Sequence, residues 1–331
     1  MNNIQPCDRL WSIILAGGEG ERVRPFVQRW LGRPKPKQYC AFVGTRSLFQ
    51  HTLDRADRLT AADHKAIVIA RAHAWEVWPQ LGQRPSGMVI LQPANRGTAA
   101  GIFLPLTYIK ARDAEATVII YPSDHFVYPE QRFVDSVRRA VLTAEWLPDR
   151  LVLLGVTPDR LELDYEWILP GEPLDRSSNY RIQAVRAFSK RPALAEADAA
   201  LAAGALWNTS VFAANAQTLW GLGDRCFPDL MSLFERLHLA IGTPHEARVL
   251  DTIYHQMPSY SFSSGLLQRI PEQTAVIEMQ EVLWSDWGKP ERIANSLRRI
   301  GRQPAFPLSC LGRPFAPTGL MADDGCTIAG V

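Results

Sequence analysis

The chain has 331 residues, 47% of them hydrophobic and 21% charged, with a formal net charge of +2. These values exclude disordered and fibrous classes, and they leave no basic field of the kind that nucleic acid or an anionic membrane would need. The length favours one large α/β core with an appended substrate-binding portion over two equal domains.

No apolar run reaches membrane-spanning length, and Met1 to Leu10 lacks the hydrophobic segment of a secretion signal. Cys7, Cys40, Cys226, Cys310 and Cys326 are scattered, odd in number and without metal-type pairs, as expected for reduced thiols in a cytoplasmic protein. The apolar run Trp11 to Leu15 then meets Gly17 and Gly18, which reads as a buried strand ending in a glycine-rich turn. Gly17, Gly18 and Gly20 have no Cβ, so their N–H groups can approach a phosphate chain closely. Arg22, Arg24, Lys35 and Lys37 follow in what reads as one loop, and mobile cations around fixed donors suit a triphosphate. The spacing G-G-x-G-x-R matches neither the dinucleotide fingerprint nor the Lys-Ser/Thr-terminated phosphate loop. On residues alone, a phosphate site and a plain turn with solvated cations both remain open.

Ser47 to Gln50 forms a capping box, which predicts a helix start. Lys65 to Ala70 and Gly87 to Leu91 read as strands around a helical stretch from His73 to Leu81. Thr98 to Ile109 carries apolar residues at helical spacing, with a kink expected at Pro105. Thr117 to Tyr121 is a fourth strand, followed by Pro122-Ser123-Asp124-His125. Four apolar strands separated by helices imply a doubly wound, mostly parallel or mixed sheet with ligands at the carboxyl ends of its strands. The glycine loop and Asp124 are therefore expected to be neighbours.

Leu151 to Val156 predicts another strand, and Tyr180 to Phe188 an extended arm of the sheet. Ala193 to Ala203 reads as a helix stopped by Gly204, Ala205 to Phe212 as a strand, and Asn215 to Gln256 as mainly helical. Thr274 to Met279 returns to strand, and Lys289 to Ile300 is a helix with arginines near its end. The Pro/Gly-rich tail 301–331 stays unassigned. It shows no hexapeptide periodicity, so no long left-handed β-helix is expected there.

Leu15-Ala16-Gly17-Gly18-Glu19-Gly20-Glu21-Arg22 with Pro25, then Pro36-Lys37-Gln38, resembles the N-terminal signature of the sugar-phosphate nucleotidylyltransferases, and the Pro-Lys-Gln ending resembles the mannose-1-phosphate guanylyltransferase branch. Pro122-Ser123-Asp124-His125, Trp207 to Phe212 (family W-N-S-G-M-F) and Trp284-Ser285-Asp286-Trp287-Gly288 (family W-S-D-x-G) continue the series, which spans roughly Trp11 to Leu297. The resemblance implies a Rossmann-like nucleotidyltransferase domain over 8–300. Its nucleotide-binding half is expected at about 8–157 and its sugar-phosphate half at about 158–300.

It further implies an NTP, GTP first, and a hexose 1-phosphate as partners, with Mg2+ as cofactor and neither nucleic acid nor membrane involved. A homodimer is compatible with it. Arg22 and Lys37 take the catalytic roles. Leu15, Ala16, Gly17, Gly18, Gly20, Gln92, Thr98 and Ala99 surround the nucleotide, Glu166, Arg191 and Asn208 the sugar phosphate, and Asp124 and Asp286 the metal.

Three stretches depart from the pattern. E-P-x-G-R-N-T-A-P-A reads Gln92 to Gly101, G-Y-G-Y-I reads Asp164-Tyr165-Glu166-Trp167-Ile168, and F-V-E-K-P reads Phe188-Ser189-Lys190-Arg191-Pro192. The two acids in place of glycines repel a sugar phosphate unless metal or Arg neutralises them. These departures motivate a second reading, a non-catalytic homologue that binds sugar nucleotides. A dinucleotide oxidoreductase is excluded because no acid-tipped second strand follows a G-x-G-x-x-G turn.

Overall fold

The computed structural model describes residues 9–174 and 181–311. Its main sheet has nine strands: β1 (Leu10–Ala16), β2 (Lys65–Ala70), β3 (Met88–Gln92), β4 (Thr117–Pro122), β6 (Leu151–Val156), β7 (Glu166–Pro173), β8 (Ile182–Lys190), β9 (Leu206–Asn215) and β10 (Thr274–Glu278). The order is β3-β2-β1-β4-β9-β6-β10-β8-β7, with β9 also pairing β7. A separate ribbon joins β5 (Phe126–Tyr128) to β11 (Leu283–Ser285).

The first four strands run parallel, as their unbroken apolar runs predict for a sheet buried on both faces. The second half is mixed: β9 lies antiparallel between β4 and β6, β7 and β8 are antiparallel, and β10 is parallel to β6. Successive strand residues turn to opposite faces. Ile13, Val68 and Ile120 therefore join one core with α4 (Gly97–Lys110), α7 (Ala216–Cys226), α8 (Pro228–Ala240) and α9 (Glu246–Gln256). Ile14, Ile67 and Tyr121 join the other with α2 (Leu48–Ala56), α3 (Ala74–Leu81), α5 (Glu130–Trp146) and α6 (Leu194–Ala202).

The capping box forms as predicted, with Ser47 Oγ accepting from the Gln50 N–H at 3.1 Å. α4 runs unbroken through buried Pro105, so packing overrides the kink that local sequence predicts. The cations after the glycine turn do not share one loop. A 3-10 turn (Glu21–Val23) and α1 (Arg24–Leu31) intervene, because Pro25 suits a helical first turn. Tyr180 lies outside the described residues, and β8 begins at Ile182. Cys7 and Cys326 lie outside them too; Cys40, Cys226 and Cys310 are free thiols, with burial pushing the Cys40 thiol up to about 12. Among the described residues no helix is long and apolar enough to cross a membrane.

Part of the tail is core. Phe306 is buried, with its ring 4.9 Å from Phe26 edge-on and 5.6 Å from Trp30, and Ala305 donates its N–H to the Phe42 carbonyl at 2.8 Å. Trp287 belongs to the same cluster, stacked on Phe126 at 4.6 Å and edge-on to Phe42 at 5.5 Å. The remaining tail, 312–331, lies outside the described residues. Phe306→Ala should cost about 3 kcal/mol through the cavity it leaves and lower the thermal midpoint by roughly 5–10 °C. A melting curve matching that of the parent would show that the tail does not support this cluster.

Candidate active site

The parallel register sets Leu15 at the end of β1 beside Pro122 at the end of β4, and Ser123 secures the junction by donating its N–H and Oγ to the Leu15 carbonyl at 3.1 and 2.8 Å. The glycine loop and Asp124 are thus neighbours, as the topology predicts. A cavity of about 510 Å³ opens there, lined by Leu15, Gly18, Arg22, Asp124, Glu166 and Asn208 among others. A larger one, about 600 Å³, lies at the β3 edge of the sheet beside Tyr108 and Glu246, away from these groups.

Gln38 holds the loop from beneath, its amide donating to the carbonyls of Ala16 and Gly18 at 3.0 and 2.7 Å, and the Tyr39 hydroxyl donates to the Ala16 carbonyl at 2.6 Å. Gly20 has φ +64, and a Cβ there would stand 2.9 Å from the Lys37 nitrogen, so both backbone and space require glycine. Lys37 is buried. Its ammonium lies 2.9 Å from Asp124 Oδ2 and donates to the backbone carbonyl of Asp286.

Asp286 accepts from Arg292 Nη1 and the Gly288 N–H at Oδ1, both at 2.8 Å, and from Arg22 Nη2 at Oδ2, at 2.9 Å. A Cβ at position 288 would come within 2.5 Å of Asp286 Oδ2 and 2.6 Å of Arg22 Nη2, which explains the glycine of that motif. Burial alone would raise both carboxyls. For Asp286 the charges of Lys37 and Arg292 prevail, for Asp124 that of Lys37, and both carboxyls are held below their ordinary value. Burial pushes His125 down, against the pull of Asp124, which favours a neutral imidazole.

On the opposite wall, Asn208 Nδ2 donates to Glu166 Oε2 at 2.6 Å, and Ser263 Oγ donates to Glu166 Oε1. Ser210, at the glycine position of W-N-S-G-M-F, has φ +58, and its N–H donates to Asn208 Oδ1 at 2.9 Å. The left-handed backbone accounts for glycine in that pattern and leaves serine here under strain.

The family model described as nucleotidyl transferase matches residues 11–300. The chain belongs to this family. It is 27% identical over 286 residues to mannose-1-phosphate guanylyltransferase of Escherichia coli K12, covering 85% of this chain and 58% of that protein. With the Xanthomonas campestris (strain B100) xanthan biosynthesis protein XanB it shares 33% identity over 205 residues, 60% of this chain and 41% of the relative. The chain thus spans about three-fifths or less of the length of these curated relatives. Among solved structures it is similar to mannose-1-phosphate geranyltransferase of Thermus thermophilus, with a TM-score of 0.74 at 24% identity over 89% of this chain and 80% of that one. That likeness bears out the α/β fold.

Several expected roles meet a different geometry. Arg24 pairs with Glu19 at 3.0 Å and Lys35 with Glu76 at 3.1 Å, so these two cations have acidic partners of their own. Ala16 and Ala99 are buried in the cores, and Gln92, also buried, turns its amide to the Ala94 carbonyl at 2.8 Å. Thr98 lines the cavity, but its Oγ1 accepts from the Phe262 N–H at 2.8 Å, and the Ala99 N–H is taken by the Tyr260 carbonyl at 3.1 Å. Segment 260–262, which leads into the short helix α10 (Phe262–Gly265), thus occupies groups at the start of α4 that the resemblance gives to the nucleotide.

Arg191 is exposed with φ +51 just past the end of β8 and is not among the residues lining the cavity, whereas Lys190 lines it and donates to Ser264 Oγ at 3.1 Å. β8 ends at Lys190, and of the two cations it is this last strand residue that lines the cavity. Sequence reasoning missed Gln38 as a clasp, Ser263 as a partner of Glu166, and Arg292. Only Gln38 carried a signal, through its place in Pro-Lys-Gln. Ser210→Gly should raise stability by roughly 1 kcal/mol by removing the left-handed penalty on a side chain. Denaturant midpoints check this, and an unchanged or lower midpoint would mean that the Ser210 side chain compensates for its backbone.

Proposed function

We propose that the chain transfers a nucleotidyl group from an NTP to a sugar 1-phosphate, with GTP and mannose 1-phosphate as the preferred pair and GDP-mannose and pyrophosphate as products, in the cytoplasm. The observation that carries this reading is the buried Lys37 ammonium, held between Asp124 and the backbone of Asp286 directly beneath the glycine loop. A cation fixed in a dry setting at the carboxyl ends of parallel strands is placed to stabilise charge developing on a phosphate chain.

A sugar-phosphate oxygen forms the new bond to the α-phosphorus as the bond to the pyrophosphate oxygen breaks, so no protein nucleophile is required. Catalysis then consists of positioning and charge stabilisation. In this reading the loop and Arg22 hold the triphosphate, Lys37 stabilises the transition state, and Asn208 and Glu166 orient the sugar phosphate. The nucleotide-binding half is 8–157 and the sugar half 158–300.

Among the described residues no group of three or more His, Cys, Asp and Glu comes together, so these residues offer no closed metal cage. Asp124, with its side chain 36% exposed on the cavity, is a hard-oxygen ligand that fits a divalent cation arriving with phosphate oxygens. Magnesium would supply charge neutralisation there. Asp286 stands next to this position, with its oxygens engaged by Arg22, Arg292 and Gly288.

The decisive assay is pyrophosphate release across a panel of NTPs and hexose 1-phosphates with Mg2+. Turnover with at least one pair is expected. A protein that binds GDP-mannose yet turns over no pair would instead be the non-catalytic homologue of the second reading. Lys37→Met should lower kcat by on the order of 10²-fold while changing KM for the NTP little, since its interaction belongs to the transition state. Equal losses in NTP affinity and turnover would place Lys37 in ground-state binding.

A further inference from the structure

Arg292, on α11 (Pro290–Arg299), is buried, yet no sequence motif marks it. Its fork reaches three carboxylates: Nη1 donates to Asp286 Oδ1 at 2.8 Å, Nε to Glu162 Oε2 at 3.0 Å and Nη2 to Asp164 Oδ2 at 3.1 Å, with Nη2 also 2.6 Å from Glu162 Oε1. The guanidinium carbon stands 4.5 Å over the Tyr165 ring, and the Tyr165 hydroxyl meets Ser285 Oγ at 3.2 Å. We propose that Arg292 is a positioning residue that fixes, through one guanidinium, both the Asp286 carboxylate and the 162–165 loop that delivers Glu166 to the cavity. The proposal rests on the nucleotidyl-transfer reading above.

A planar fork offers donors in fixed directions to the acids that approach from two segments, and a point-charge ammonium does not copy that geometry. Lys289 does not duplicate the role: its side chain is about half exposed, and among the described residues its ion pair is with Asp164. The acid at position 164, which replaces a family glycine, is thereby held by Arg292 and Lys289, while its neighbour Glu166 is bound by the neutral donors Asn208 and Ser263. Without Arg292 the carboxylates of Glu162 and Asp286 lose a buried counter-charge. Asp286 would then be free to turn both oxygens to Arg22 and draw that guanidinium away from the cavity it lines. The loop carrying Glu166 would lose its anchor in the same event, so a single substitution should disturb two flanks of the cavity together.

The test compares wild type with R292K, which keeps the charge without the fork, and with E162Q/R292M, which neutralises one of the acids left bare and so protects folding. Pyrophosphate release is measured against mannose 1-phosphate and Mg2+ with saturating GTP, and Mn2+ binding in the presence of GTP is followed by electron paramagnetic resonance of the free ion. Both variants, folded by circular dichroism, should raise KM for mannose 1-phosphate and weaken Mn2+ binding, each by about tenfold, the range found when a ligand's supporting partner is removed. Variants that melt earlier but keep both constants within about twofold would make Arg292 a structural ion pair only and overturn the inference. A wild type that makes no pyrophosphate, while Mn2+ binding still weakens in the variants, overturns the transfer reading and upholds the positioning role. A wild type with neither turnover nor Mn2+ binding overturns both.

Discussion

Burying the Lys37 ammonium is the constraint on which the site depends. A charge taken out of water needs close partners, and here they come from two distant parts of the chain: Asp124 beyond β4 and the Asp286 carbonyl beyond β11. That requirement pulls together the ends of β1, β4 and the β5–β11 ribbon. It also explains why Gly20 must let the backbone pass so close to Lys37. The cost of burying charge is thus converted into geometry, since any looser arrangement would leave carboxylate or ammonium uncompensated.

Opposite this half stands a wall with another logic. Glu166 is bound by neutral donors from Asn208 and Ser263, whereas Asp124, Asp164 and Asp286 each have a cationic partner. Charge is therefore paired with charge around Asp124, Asp164 and Asp286 and left with neutral partners at Glu166. Glu166 and Lys190 occupy one rung of the β7–β8 ladder, so two departures from the family pattern that are remote in sequence form a single local change.

The parallel half of the fold was legible because its strands are buried on both faces and read as continuous apolar runs between helices. Loop contacts were equally legible where strand register dictates them, as with Leu15 beside Pro122. The antiparallel insertion of β9 between β4 and β6 was not, because its burial pattern suits either direction. Arg292 was hidden for a different reason: a helical arginine reads as a solvated or terminal cation until the fold shows which acids surround it. The left-handed backbone of Arg191, just past the end of β8, likewise left no mark in the sequence.

The aromatic cluster beneath the glycine loop has a consequence for biosynthesis. Val23 and Phe26 belong to the stretch just after the first strand, yet they pack on Trp287 and Phe306, and β1 reaches β10 across the sheet only through β4, β9 and β6. A ribosome releases Lys37 and the glycine loop long before it releases Asp286, whose carbonyl accepts from the Lys37 ammonium. The nascent chain therefore carries an exposed Phe26, Trp30 and Phe42 surface until synthesis has passed residue 306, and contacts of such long sequence separation form late. A chain synthesised short of residue 306 is thus the species most in need of protection from aggregation.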